Sequence, residues 1–197
     1  MHVPGIKVLM PATPYDAKGM LIAASRDGNP IMFIEDRWLY DLEGEVPEGP
    51  YETPIGKAII RREGRDLSII AASTMVPMAM EAAKILEKMG IDIEVVDLRS
   101  IKPWDQDLVS ASARKTGRVI VADSGWSTAG ISAEITATLS KRAFGFLKQP
   151  IERFALPDIP APTSRSLERA YYPTKEQMAE LAIQMMATPS SFILKHD

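Results

Sequence analysis

Residues 66–105 read DLSIIAASTMVPMAMEAAKILEKMGIDIEVVDLRSIKPWD. Leu67–Ala72 is a short apolar run of the kind buried on both faces of a parallel sheet. Ser73 and Thr74 are N-cap candidates, because a hydroxyl there can accept a free backbone N–H of the first helical turn, and Pro77 fits that turn, where its missing N–H costs nothing. Met78, Ala82, Ile85, Leu86 and Met89 fall on one helical stripe, with Glu81, Lys84, Glu87 and Lys88 on the wet side. Gly90 provides a left-handed helix end, and Ile91–Leu98 is the second strand. Two buried strands joined by a helix of this length must run parallel, with a right-handed crossover. The unit defines an α/β domain and by itself names no chemistry.

Downstream, Pro103-Trp104-Asp105 opens a helix running to about Lys115, and Gly117–Ala122 is another buried strand. Asp123–Thr128 reads as a polar loop, followed by a helix over Gly130–Phe146 with Ile131, Ile135, Leu139 and Phe144 inward. Ile151–Ala155 is the last strand, Leu156–Arg165 a proline-rich loop, Lys175–Ala187 a closing amphipathic helix, and Thr188–Asp197 a loosely held tail. Upstream, Ile55–Arg62 reads as an edge strand, so the region beyond residue 50 is an open, mostly parallel α/β sheet with helices on both faces and one antiparallel edge. Ahead of it, Val3–Met10 is a strand, Asp16–Arg26 a short helix and Ile31–Ile34 a second strand. That unit is too small to close a core alone; preceding chain, a partner subunit or the rest of this chain must cover it. Glu35–Pro54 is acidic and broken by prolines, which places the domain boundary near Pro50–Pro54.

The 197 residues carry a net charge of −3 and no basic run, so a nucleic-acid footprint is absent. No apolar stretch is long enough to span a bilayer, and MHVPGIKVLMP does not have the form of a signal peptide. There is no cysteine, which excludes disulfides and thiolate catalysis and suits a cytoplasmic protein. Histidine is the residue type suited to proton transfer near neutral pH. The chain has two, His2 and His196, too few for a multi-histidine metal site and too far apart in sequence to suggest a serine triad.

The sequence contains neither GxGxxG nor GxxxxGK[ST]. Asp123-Ser124-Gly125-Trp126-Ser127 sits at the carboxyl end of a strand, where open α/β sheets bind ligands; the simpler reading, a loop carrying an N-cap and a buried Trp, is preferred on the residues alone. Ser25-Arg26-Asp27-Gly28-Asn29-Pro30 ends a helix, where free carbonyls beside an Asp or Asn oxygen suit a hard cation; an ordinary turn is the alternative. Tyr171, Tyr172 and Trp126 are either interface aromatics or partly buried core. The eleven methionines fit core packing.

Read end to end, the chain resembles the C-terminal portion of the β subunit of the thiamine diphosphate-dependent decarboxylating component of 2-oxo acid dehydrogenases, of which pyruvate dehydrogenase is the best-known member. The matching runs are His2-Val3-Pro4-Gly5-Ile6-Lys7-Val8, Pro11–Gly19, Ser25–Pro30, Gly44-Glu45-Val46-Pro47, Pro54-Ile55-Gly56-Lys57-Ala58, Val96–Pro103, Gly130–Ile135 and the Pro157–Pro162 segment. Each is weak alone; their order is specific.

The resemblance implies that residues 1–50 are the end of a pyrimidine-binding domain and its linker, 51–190 a transketolase C-terminal-type domain, and 191–197 a tail. It implies an α2β2 assembly with thiamine diphosphate and magnesium at subunit interfaces, a β–β dimer within it, and transfer of the acyl group to a lipoyl arm on an acyltransferase component. His2 matches the family's active-site histidine. Ala24, Ser25, Asp27 and Asn29 match the positions of a structural potassium site. The family's cofactor-activating glutamate and its diphosphate–magnesium site have no counterpart in the sequence, so this chain alone is expected to be inactive. Asp123-Ser124-Gly125-Trp126 departs from the acidic pair usual in pyruvate dehydrogenases, which leaves pyruvate as a default substrate. The alternatives are a non-catalytic dimerisation or docking module, and another transketolase-superfamily enzyme such as a deoxyxylulose-phosphate synthase or an acetoin-cleaving relative.

Overall fold

The structure is a computed structural model that describes residues 1–187, so the tail assigned from sequence lies outside the described residues. Eight strands and six α-helices follow in chain order: β1 (Lys7–Leu9), α1 (Pro14–Arg26), β2 (Ile31–Phe33), β3 (Ile59–Arg62), β4 (Leu67–Ala71), α2 (Met75–Glu87), β5 (Ile93–Asp97), β6 (Ser100–Lys102), α3 (Gln106–Thr116), β7 (Val119–Trp126), α4 (Ile131–Arg142), β8 (Glu152–Leu156), α5 (Arg165–Tyr171) and α6 (Lys175–Ala187).

The main sheet has the order β3-β5-β4-β7-β8, parallel except for β3 at one edge, which pairs antiparallel with β5. Alternation along β4 divides the core. Leu67, Ile69 and Ala71 face α2 and α6 in one cluster, while Ile70 faces α3 and α4 in the other. A strand apolar on both faces must be covered on both faces, which is why β4 sits at the centre. Its one polar side chain, Ser68, faces α3 and bonds to Ser112 O (3.2 Å) and Thr116 Oγ1 (2.8 Å). The chain runs from β4 to β5 on one side and then returns to place β7 on the other, so the topological switch lies between β4 and β7.

A second sheet has the order β2-β1-β6, with β1 and β2 parallel and β6 antiparallel to β1. β6 therefore supplies part of the cover that the first strand–helix–strand unit needs, and Val8 joins the α3–α4 cluster. No periodicity over Ser100–Lys102 predicts this strand; its pairing with β1 creates it.

Several local expectations are corrected. The first strand is shorter than Val3–Met10, because Pro4-Gly5 forms a turn with Gly5 at φ +80°. Ser73 does not cap α2: it takes φ +51° with a buried, unpartnered hydroxyl, and Thr74 makes no cap bond, its Oγ1 donating instead to Asp36 Oδ2 (3.3 Å). The loop expected at Asp123–Trp126 continues β7, held by pairing of Trp126 with Leu156. Trp126 is 52% exposed. The α4 helix ends at Arg142 and passes into a 3-10 turn over Phe144–Phe146, which leaves Phe144 80% exposed rather than inward. The proline-rich stretch ends at the N-cap of a helix not expected from sequence, α5, where Ser164 Oγ accepts the Leu167 N–H.

No helix among the described residues is long and apolar enough to cross a membrane.

Candidate functional site

The β1–β6 pair positions the first candidate. Lys102 lies opposite Val8, and the turn at Pro4-Gly5 redirects the chain upstream of β1 back along this edge. Lys102 Nζ donates to the carbonyl oxygens of Met1 (2.9 Å) and Val3 (2.7 Å). These carbonyls stand on either side of His2, which is exposed.

The second candidate is the end of α1. Ala24 O accepts the Asp27 N–H (3.4 Å), and Ser25 Oγ donates to Ile22 O (2.8 Å). Asp27 Oδ1 accepts from the Asn29 side-chain amide (2.7 Å), and Asp27 Oδ2 from Lys7 Nζ (2.5 Å). The Lys7 hydrogen bond, with help from Asn29, lowers the Asp27 carboxyl below its ordinary value. A metal cation at this turn must therefore compete with the Lys7 ammonium for Asp27. His2 and this turn are separate features, one upstream of β1 and the other at the far end of α1.

A third feature has little sequence signature. A crevice of about 640 Å3 opens at the carboxyl ends of β4, β7 and β8, the switch-point location. Trp38, Leu39, Met78 and Tyr172 supply apolar wall, with Thr74 and Ser124 among its hydroxyls. Trp38 packs edge-on to Tyr172 at 5.0 Å, and Tyr172 likewise to Tyr171. Trp126 Nε1 donates to Tyr171 Oη (3.0 Å), so the three aromatics singled out from sequence form one cluster. Trp38, within the acidic linker, is the member that sequence reasoning missed.

The junction between the two sheets is built on buried charge. Asp16 of α1 is fully buried and accepts from Arg99 (3.1 Å), from Thr13 Oγ1 (3.0 Å) and, by a very short contact, from Arg61. Arg61 also bonds Asp97 through Nε (3.1 Å) and a terminal nitrogen (2.8 Å). Burial holds the Asp97 carboxyl above the ordinary carboxylate range against the pull of Arg61, and the two carboxylates in turn favour the charged form of Arg61 despite its own burial. Beside this network Gly19 meets the linker so closely that a Cβ would stand 2.4 Å from Thr53 Oγ1.

Among the described residues no group of three or more His, Cys, Asp or Glu side chains could hold a metal ion. Neither GxGxxG nor GxxxxGK[ST] occurs in the sequence.

The family described as transketolase, C-terminal domain, matches residues 56–178. The chain belongs to the transketolase C-terminal domain family. The match takes in the whole of the larger sheet from β3 to β8 and ends within α6. The chain is similar to the β subunit of acetoin:2,6-dichlorophenolindophenol oxidoreductase of Cupriavidus necator, at 47% identity over 94% of this chain and 55% of that one. It is similar to the pyruvate dehydrogenase E1 β subunit of Bacillus subtilis, at 46% identity over 93% of this chain and 56% of that one. Among solved structures it is similar to a split-gene transketolase described as an inactive β4 tetramer, with a TM-score of 0.76, 27% identity, and coverage of 96% of this chain and 60% of that one. The chain thus spans little more than half the length of the curated relatives it matches. The mixed α/β architecture expected from sequence is that of this family.

Proposed function

We propose that this chain is part of the β subunit of a thiamine diphosphate-dependent 2-oxo acid dehydrogenase. It supplies subunit assembly, partner docking and one active-site histidine, His2. What carries the reading is similarity over nearly the whole chain to β subunits of this class, including 46% identity to a pyruvate dehydrogenase β subunit. In this reading residues 1–50 are the end of a pyrimidine-binding domain with its linker, and 51–190 form the assembly domain. The partners are an α subunit, a second β copy and a lipoyl acyltransferase component. Thiamine diphosphate and magnesium are held outside the residues described here, and the cofactor supplies the carbanion chemistry of decarboxylation when bound. His2 would serve that site with its imidazole, assisting binding of the acyl acceptor and proton transfer during acylation of the lipoyl arm. Ala24, Ser25, Asp27 and Asn29 take a structural potassium ion that displaces Lys7 from Asp27. The absence of cysteine from the sequence fits a cytoplasmic setting.

A second reading is favoured by a specific observation. Two relatives, at 47% and 40% identity, are β subunits of acetoin oxidoreductases, which makes acetoin an alternative donor. The test is dye-coupled turnover by the complete assembly, with pyruvate, branched 2-oxo acids and acetoin offered in turn. Turnover of a 2-oxo acid supports the first reading and turnover of acetoin alone the second. No turnover of any donor by an assembly loaded with cofactor overturns both.

A further inference from the structure

β6 stands apart in the fold. By chain order it follows the third strand of the main sheet, yet it pairs with β1 of the smaller one. Its last residue, Lys102, then reaches past β1 to the carbonyls of Met1 and Val3. An ammonium carries three donors in a compact head on a flexible stem. Two of them are spent on the peptide groups bracketing His2. The Pro4-Gly5 turn fixes the path only from that point onward.

We propose that Lys102 is a positioning residue for His2: its ammonium clamps the backbone on both sides of the histidine, so that the assembly domain, through β6, sets where the imidazole is presented. The proposal rests on the reading of His2 as an active-site histidine. It gives β6 a role that packing alone does not require, since the Lys102 bonds are exposed and exposed bonds add little to stability.

The experiment uses the full chain labelled with 15N and 13C, in which only two histidines contribute imidazole signals. Lys102→Met keeps the stem and removes the donors; Lys102→Arg keeps a cationic donor. The expected result is a His2 amide order parameter of about 0.85 in the parent and in Lys102→Arg, falling below about 0.6 in Lys102→Met, with the His2 imidazole resonance moving to its free-peptide position. The melting temperature stays within about 2 °C throughout, as for other exposed substitutions. An unchanged order parameter and imidazole signal in Lys102→Met overturns the clamp. In the assembled enzyme, Lys102→Met is expected to slow acyl transfer about tenfold or more, as misplaced catalytic groups do, and to have no effect in a His2→Ala background. Equal slowing in that background overturns the positioning role and leaves the reading of His2 intact. Unchanged transfer in His2→Ala itself overturns the reading of His2, whatever Lys102 does.

Discussion

Replacing Asp16 with alanine is predicted to loosen the smaller sheet from the larger one. Asp16 is fully buried, and its carboxylate is shared by Arg61, Arg99, Thr13 and Thr53. Without it, Arg61 keeps both bonds to Asp97. Arg99 keeps only neutral partners, the carbonyls of Lys57 and Ala58. Breaking a buried ionic network by removing one member costs about 3–5 kcal/mol, because a charge is left buried without its counter-charge. Since one of the two arginines retains a carboxylate, the lower end, about 3 kcal/mol, applies. For a chain of this size that is a fall of about 6–12 °C in melting temperature. Asp16→Asn keeps shape and acceptor but loses charge, and costs less. Urea unfolding gives the total, and native-state hydrogen exchange locates it: protection should fall in α1 and β1 before it falls in β4 and β5. A loss under about 1 kcal/mol, or equal loss of protection across both sheets, refutes the role of this network as the junction.

Gly64→Ala should destabilise by about 1–3 kcal/mol or more through overpacking, since its Cβ would lie 2.2 Å from the backbone of Ile93 and Glu94; the shift of the urea midpoint measures it. The Lys7–Asp27 pair gives a pH dependence of definite sign. With the folded carboxyl below its ordinary value of 3.8, the stabilisation is present above that value and is lost as pH falls through the lowered one, so the stability gap between parent and Lys7→Met should close on acidification. If potassium occupies the α1 turn, potassium chloride should raise the melting temperature over choline chloride, and more so in Lys7→Met, where the competing ammonium is gone. An equal response to both salts in both proteins counts against that site. His2→Ala should leave the melting curve unchanged and slow acyl transfer to the lipoyl arm in the assembled enzyme by about 10²–10⁴-fold, leaving a measurable residual rate; an unchanged rate removes His2 from the chemistry.

The central strand–helix–strand unit was legible because its signals are local. β4 is apolar but for Ser68, β5 carries Ile93, Val95 and Val96 in its interior, and Gly90 takes the positive φ expected of a helix end. The helix expected to open at Pro103-Trp104-Asp105 does so, with Asp105 as its cap accepting the Leu108 N–H at 3.1 Å. What escaped the sequence is set at long range. Asp16 and Arg99 are 83 residues apart in the chain, and nothing near either announces the other. β6 has three residues and no periodicity. The extension of β7 through Asp123 and Ser124 depends on pairing at Leu156, which overrides the polar, loop-like composition. Helical periodicity carried past Arg142 places Phe144 in the core, but the helix gives way there to a tighter turn. Of the candidate site, the α1 turn was visible as a cation-suited motif, whereas His2 stood out only through resemblance, because no residue type beside it in sequence marks a catalytic pair. The carbonyls of its two neighbours are held by Lys102, one hundred positions away.

The account stands most directly on whether this chain enters a dehydrogenase assembly. Sedimentation of the chain mixed with the α subunit of a pyruvate- or acetoin-type dehydrogenase from the same source, with thiamine diphosphate and magnesium present, measures this. The expected result is a complex containing both chains that gains thermal stability when the cofactor is added. The chain sedimenting apart from every such α subunit, with its melting temperature unmoved by thiamine diphosphate and magnesium, would contradict it.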